Sequence, residues 1–224
     1  MQLQERYSPF QQELSKNPET LRAMFAAFHN SDAPLDDCFI DTVLDLPALG
    51  DGLERYMDSN YFFVNGQEEF VVYQGTPYEK IRTMLRWTNP TSSDVFRDIG
   101  SGYGKVCLYG ALATEARFVG HELLPHRIEV AENAKNRFGI TNAEFVLGNV
   151  ADHNLEDGTI FYLFNSLIGP TEDKVLDRLQ QIAEKKLIKF ISYSTWMQPE
   201  NAPSWLKVVK RSTGYDPFFL FESR

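Results

Sequence analysis

The stretch "DVFRDIGSGYGKV", residues 94–106, decides how this chain folds. Val95, Phe96 and Ile99 make a short apolar run, Gly100, Gly102 and Gly104 interrupt it, and Val106 and Cys107 resume apolar sequence. A strand, a glycine turn and a helix in that order form the opening unit of an open α/β sheet. The turn falls at the carboxyl end of the strand, where such sheets bind ligands. Its exposed backbone N–H groups and the helix N-terminus behind it favour an anionic group.

Spacing sorts the candidate ligands. A phosphate loop needs glycine five residues before Gly104 and Ser or Thr after Lys105, but those positions hold Ile99 and Val106. The dinucleotide fingerprint needs a third glycine at the sixth position, which is Lys105 counted from Gly100 and Cys107 counted from Gly102. Both loops are disfavoured. A second station comes from Glu122, which ends the apolar run "RFVGHE" 18 residues after Gly104. That is near the spacing at which α/β nucleotide sites set an acid against ribose hydroxyls.

Downstream, the texture repeats strand and helix. "PHRIEVAENAKNRFG" carries Ile128, Ala131, Ala134 and Phe138 at helical spacing with Gly139 to stop it. "AEFVLGN" reads as a third strand, and "TIFYLFNS", apolar on both faces, as a central fourth. "TEDKVLDRLQQIAEKK" is an amphipathic helix with acids first and lysines last, matching the helix dipole. "LIKFISYS" is a fifth strand, and the tail from Trp205 gives two more joined by a Gly-containing turn with no helix between them. The pattern predicts a Rossmann-like α/β fold: a mostly parallel seven-stranded sheet with helices on both faces and a C-terminal antiparallel hairpin.

Upstream of the motif, "TPYEKIRTMLRW" predicts a helix in which Thr76 caps the N-terminus, Pro77 occupies the first turn and Glu79 completes a capping box. Residues 1–70 have a different texture. Leu21, Met24, Phe25 and Phe28 stripe one helix in "NPETLRAMFAAFHN", and shorter helices follow around Pro47 and Gly50. This predicts a helical N-terminal extension on a ligand-binding domain of residues 71–224.

Hydrophobic residues at 43% supply a real core, and a net charge of −9 disfavours non-specific binding to nucleic acid or an acidic membrane. A basic protein segment suits that charge better. Cys38 and Cys107 lie far apart without metal-ligand neighbours, and no run approaches the length of a membrane span, so a cytoplasmic setting is the expectation. Asp152 and Asp157 read as a solvated pair, and no metal is expected.

At Asp98-x-Gly100-x-Gly102-x-Gly104 the chain resembles the class I S-adenosylmethionine (SAM) methyltransferases. The resemblance implies SAM as cofactor. It assigns Asp98 to the methionine ammonium, Gly100, Ser101, Gly102 and Gly104 to close backbone approach, and Glu122 to the ribose. Asn149, where an acid is common, is expected to accept from the adenine amino group, with Asp152 as a substitute. Asn165 at the end of strand four joins the site, and the helix that begins at Thr76 is expected to meet the cofactor carboxylate. Arg97 stands where the superfamily has an apolar residue, and a partner carboxylate for it is expected, with the N-terminal extension as its source.

The layout around "YQGTPYEKIRTML", the motif, "FVGHE" and "IFYLFNSL" is also similar to the non-SET protein lysine methyltransferases, including the nucleosomal histone enzymes. That likeness implies a protein lysine as methyl acceptor, with Tyr73, Tyr193 and Trp196 as walls of an aromatic slot. The N-terminal extension would then cap the site or select the substrate. A small-molecule acceptor, or SAM binding without catalysis, stays open at this point. Methyl transfer is an in-line displacement that leans on positioning, so no catalytic residue is marked.

Overall fold

The computed structural model describes residues 2–47, 73–167, 169–193, 197–214 and 217–224, with side chains from residue 9 onward. Among them are helices α1 (Gln2–Lys16), α2 (Pro18–Asn30), α3 (Asp37–Leu44), α4 (Tyr78–Thr88), α5 (Lys105–Ala113), α6 (Pro125–Arg137) and α7 (Pro170–Ala183). The strands are β1 (Val95–Ile99), β2 (Arg117–Glu122), β3 (Ala143–Leu147), β4 (Ile160–Leu163), β5 (Lys189–Ser192), β6 (Leu206–Arg211) and β7 (Phe219–Ser223). The predicted Trp196, and the helices expected around Gly50, lie outside the described residues.

The sheet order is β3-β2-β1-β4-β5-β7-β6. β1 to β5 run parallel, and β7 pairs antiparallel with β5 and with β6. The order reverses at β1, so the crevice outside the ends of β1 and β4 is the switch point at which open α/β sheets bind ligands. The fold read from the sequence is the observed one.

Strand alternation separates the two faces. Phe96, Phe118, Ala143 and Ile160 share one register rank, and Asp98, Gly120, Phe145 and Tyr162 share the next on the same face. Against these pack α5 and the N-terminal helices, in one continuous buried cluster with Leu21, Phe25, Ile40 and Val43. Phe25 meets Tyr109 edge-on at 5.5 Å between ring centroids. The opposite face buries Phe161, Phe190 and Phe219 under α7 through Val175, Leu179 and Ile182. Between β3 and β4 that face receives only a single 3-10 turn, Val150–Asp152, where a regular alternation of strand and helix would have placed a full helix.

The expected capping box does not form. The N-cap of α4 is Pro77, with no side-chain cap bond of its own. Thr76 is buried, and its hydroxyl shares a 2.7 Å hydrogen bond with the Tyr162 hydroxyl. A carboxylate from α3 takes over the cap: the Tyr78 N–H donates to Asp37 at 3.2 Å, and Glu79 accepts from the Leu35 N–H at 3.2 Å. A local motif is thus replaced by partners about forty residues upstream, because the docked N-terminal helices bring stronger acceptors to the same end.

The described residues contain no helix long and apolar enough to cross a membrane. Since α2 shares its core with the sheet, Phe25→Ala is expected to cost about 3–5 kcal/mol. Urea titration followed by far-UV circular dichroism and by tryptophan fluorescence should give one coincident transition; separate transitions would mean that the N-terminal helices unfold independently.

Candidate functional site

The glycine turn is hung from the end of β2. The Gly100 and Ser101 N–H groups donate to the His121 carbonyl at 2.9 and 2.8 Å, and the Gly102 N–H donates to Glu122 Oε2 at 2.8 Å. Gly100, Gly102 and Gly104 all have positive φ, of 81°, 54° and 80°. At Gly102 a Cβ would come within 2.4 Å of the Tyr73 ring, and at Gly100 within 2.1 Å of Ser166 Cβ, so both turns need glycine for conformation and for space. Gly104 serves differently: a Cβ there would strike Phe145 at 2.6 Å, so its bareness lets α5 start against β3.

Beside this turn opens a cavity of about 360 Å³, within the range of small-molecule sites. Of the predicted residues, Tyr73, Thr76, Asp98, Gly100, Ser101, Gly102, Glu122 and Asn149 line it. Gly104, Asn165 and Tyr193 are not in its wall. Asn165 has φ +45° and turns its amide to Gln74 at 3.4 Å. Tyr193 is buried behind Phe164, on which it stacks at 4.1 Å; Phe164 is the ring that faces the cavity. The aromatic wall read from the sequence is therefore one residue layer nearer the site.

Asp98 is buried in a rank that otherwise holds Phe145 and Tyr162. Burial, then the nearby Glu122 carboxylate, pushes its pKa up to about 8. That shift favours the protonated form at neutral pH, and a cation placed beside the carboxyl would displace the proton. Glu122 is held from two sides, by the Gly102 N–H and by the Leu124 N–H at 3.0 Å, with Arg127 3.6 Å away. Each carboxylate oxygen keeps a lone pair for a diol. Asn149 caps the 3-10 turn by accepting from the Ala151 N–H at 2.9 Å, which fixes its side chain at the cavity rim. Asp152 is exposed and outside the cavity wall.

Arg97 does find a carboxylate, but not in the N-terminal extension. It pairs with Asp157, in the connection before β4, and donates to His121 Nε2 at 2.8 Å. Its position explains this: Arg97 shares its rank with Phe161 on the face where the β3–β4 connection supplies only a 3-10 turn, whereas α2 and α3 cover the other face. Asp157 is also bonded by Arg117 at 3.1 Å, so it is not the simply solvated acid expected from the sequence. Among the described residues no cluster of three metal-ligating side chains is found.

Sequence reading missed Lys105. Its buried ammonium reaches the cavity wall and is held by Asp37 at 2.8 Å and Asp41 at 3.3 Å, over the Tyr78 ring at 4.0 Å. Tyr78 in turn donates to Asp41 at 2.8 Å. The position after Gly104 was legible, but its partners lie more than sixty residues upstream and give no local signal.

These residues fit SAM: a buried acid for an ammonium, a held carboxylate for a ribose, and backbone left bare of Cβ between them. The strand order and the crevice define a class I methyltransferase fold. The family described as "Histone methylation protein DOT1" matches residues 66–166, which span the approach to α4, the glycine turn and the end of β4. An RNA methyltransferase from Salinibacter ruber, solved with S-adenosyl-L-homocysteine, is similar at 22% identity and TM-score 0.51 over 67% of this chain and 92% of that one. A precorrin-6y C5,15-methyltransferase from Geobacter metallireducens matches at 15% identity and TM-score 0.51 over 70% and 95%. No curated protein sequence matches. By fold, crevice and family match together, the chain is a class I SAM-dependent methyltransferase.

Two outcomes follow for Asp98. Its folded pKa, about 8, lies above the ordinary 3.8, so the stability it lends is lost as pH rises between those values. Asp98→Asn should therefore raise the melting temperature of the free protein at pH 7 and flatten its fall towards pH 8. The same variant should lose the stabilisation by S-adenosylhomocysteine that the wild type shows by differential scanning fluorimetry. In the wild type, binding should release a proton below pH 8, with affinity rising by up to about tenfold per pH unit. Calorimetry in buffers of different ionisation enthalpy checks the proton count, and no release at pH 7 would sink this account of Asp98.

Proposed function

We propose that the acceptor is a lysine side chain of a basic protein segment. The observation that carries this reading is the match to the histone-methylation family across the motif-bearing half of the site. Two features of the chain agree with it. The net charge of −9 favours a cationic partner, and Phe164 and Tyr73 put aromatic faces at the cavity, where an approaching ammonium gains cation–π attraction.

In this reading Asp98 takes the cofactor ammonium, Glu122 the ribose, and Gly100, Ser101 and Gly102 the close backbone contact. Thr76, tied to Tyr162, stands at the amino-acid end, and Asn149 and Val150 stand at the base end. Asn165, with φ +45° at the end of β4, and Tyr193, behind Phe164, shape the acceptor's entrance. The N-terminal helices brace the amino-acid end through Asp37, Asp41 and Lys105 and contribute to acceptor selection.

Bound SAM supplies a methyl group activated by the sulfonium charge. The protein's part is to align a neutral amine with that methyl and to exclude water. In such a transfer the C–S pair would stay with sulfur as the amine took the methyl, and the positive charge would pass to the amine. No side chain need act as a strong base, provided that the lysine sheds its proton on leaving bulk water for the apolar mouth.

The test is incubation with methyl-tritiated SAM and three acceptor pools: lysine-rich basic proteins, total RNA, and a low-molecular-mass filtrate. Label is expected in the protein pool and, after acid hydrolysis, in methyl-lysine, with Asp98→Asn reducing it by at least about a hundredfold. Label confined to RNA or to the filtrate would reassign the acceptor.

A further inference from the structure

We infer that Arg97 is a positioning residue for the nucleoside half of the cofactor crevice, acting through Asp157 on the connection 148–159 and through His121 on the end of β2. The inference rests on the reading of Glu122 and Asn149 as the nucleoside side of the site.

The connection 148–159 carries Asn149 and Val150, which line the cavity, yet has only a 3-10 turn of three residues to stiffen it. Leu155 and Val150 bury in the core and Thr159 bonds β1 and Asp94, and cations on neighbouring elements add further anchors. Arg178 of α7 donates to the Ala151 and His153 carbonyls at 3.0 and 2.6 Å, and Lys186 donates to the Glu156 carbonyl at 2.6 Å. Asp157, near the far end, takes Arg97 and Arg117. Among these cations only Arg97 also touches the opposite wall. It is 6% exposed, and Gly158 is bare where a Cβ would come within 2.9 Å of Arg97 Cδ.

Its second contact has a defined chemistry. A guanidinium has no acceptor, so the 2.8 Å bond to His121 Nε2 requires an unprotonated Nε2. His121 is therefore neutral, with its proton on Nδ1. Burial, then Arg97 and His153, lowers its pKa to about 3, in keeping with that state. His121 lines the cavity, its carbonyl carries the Gly100 and Ser101 N–H groups, and it directly precedes Glu122. One buried cation thus ties the far end of the connection that carries Asn149 and Val150 to His121 on the facing wall, and so bears on the separation of the two. An apolar residue at this place in β1 would leave Asp157 without its buried partner.

The test uses full-length Arg97→Met, Arg97→Lys, Asp157→Asn and the Arg97→Met/Asp157→Asn double variant. Asp157 is partly exposed, so its substitution is the safer for folding. Calorimetric Kd for S-adenosylhomocysteine is expected to weaken about tenfold in Arg97→Met and Asp157→Asn, the size of one lost charge-assisted hydrogen bond. The double variant should be no worse than Arg97→Met alone. Arg97→Lys should recover part of the loss, and kcat at saturating SAM should stay within about twofold, a split that general loosening would not give. In nitrogen-15 spectra His121 should be the neutral Nδ1–H tautomer at pH 6 in the wild type and lose that signature in Arg97→Met. Unchanged affinity in folded Asp157→Asn and Arg97→Met, additive losses, or a fall in kcat alone would overturn the inference. If Glu122→Gln also leaves affinity unchanged, the site reading itself fails, so the two failures are separable.

Discussion

The end of β2 holds the glycine turn, and the site depends on that clamp. Three consecutive N–H groups of a segment with almost no side chains would otherwise point at solvent. Instead, two are taken by the His121 carbonyl and one by the Glu122 carboxylate. A turn with glycines at positive φ is conformationally loose, and its order must come from outside it. Strand β2 supplies that order with the same residue that offers its remaining lone pairs to the cavity. Loop geometry and ligand chemistry are thereby tied to a single carboxylate.

Charge placement around the cavity follows from burial. Asp98 in an aromatic rank is unfavourable as an anion, and burial shifts it towards its protonated form. Lys105 in the same wall is enclosed by two carboxylates from α3 and by the ring of Tyr78. Arg97, a permanent cation, is paired by Asp157, which reaches it from a connection that has no α-helix of its own. One group gives up its charge, and the other two recruit partners from elements distant in sequence.

That contrast explains how much could be read from the sequence. The fold was legible because strand, turn and helix are written in local periodicity, and the glycine spacing excluded the competing loops. That Asp98, Gly100, Gly102 and Glu122 would meet at one crevice was legible for the same reason: each sits at a fixed step from the end of a strand. The capping role given to Thr76 failed because a local rule competed with Asp37, which only tertiary structure delivers. Tyr193 was placed at the right strand end, but alternation cannot tell that Phe164 would stand in front of it. Lys105 and the partner of Arg97 could not be read at all, since a salt bridge leaves no mark at either end of the chain segment that forms it.

The tie between α3 and Lys105 bears on how the molecule is made. The N-terminal helices leave the ribosome before the sheet and α5, on which Leu21, Phe25, Ile40 and Val43 are buried. Their burial partners, and the ammonium that Asp37 and Asp41 enclose, are encoded beyond residue 77. The first part of the chain must therefore wait, apolar face exposed, for the glycine turn and α5 to be synthesised. Formation of the cofactor site and shielding of the nascent N-terminus are then one event, and a chain stalled before it presents an aggregation-prone surface to its neighbours.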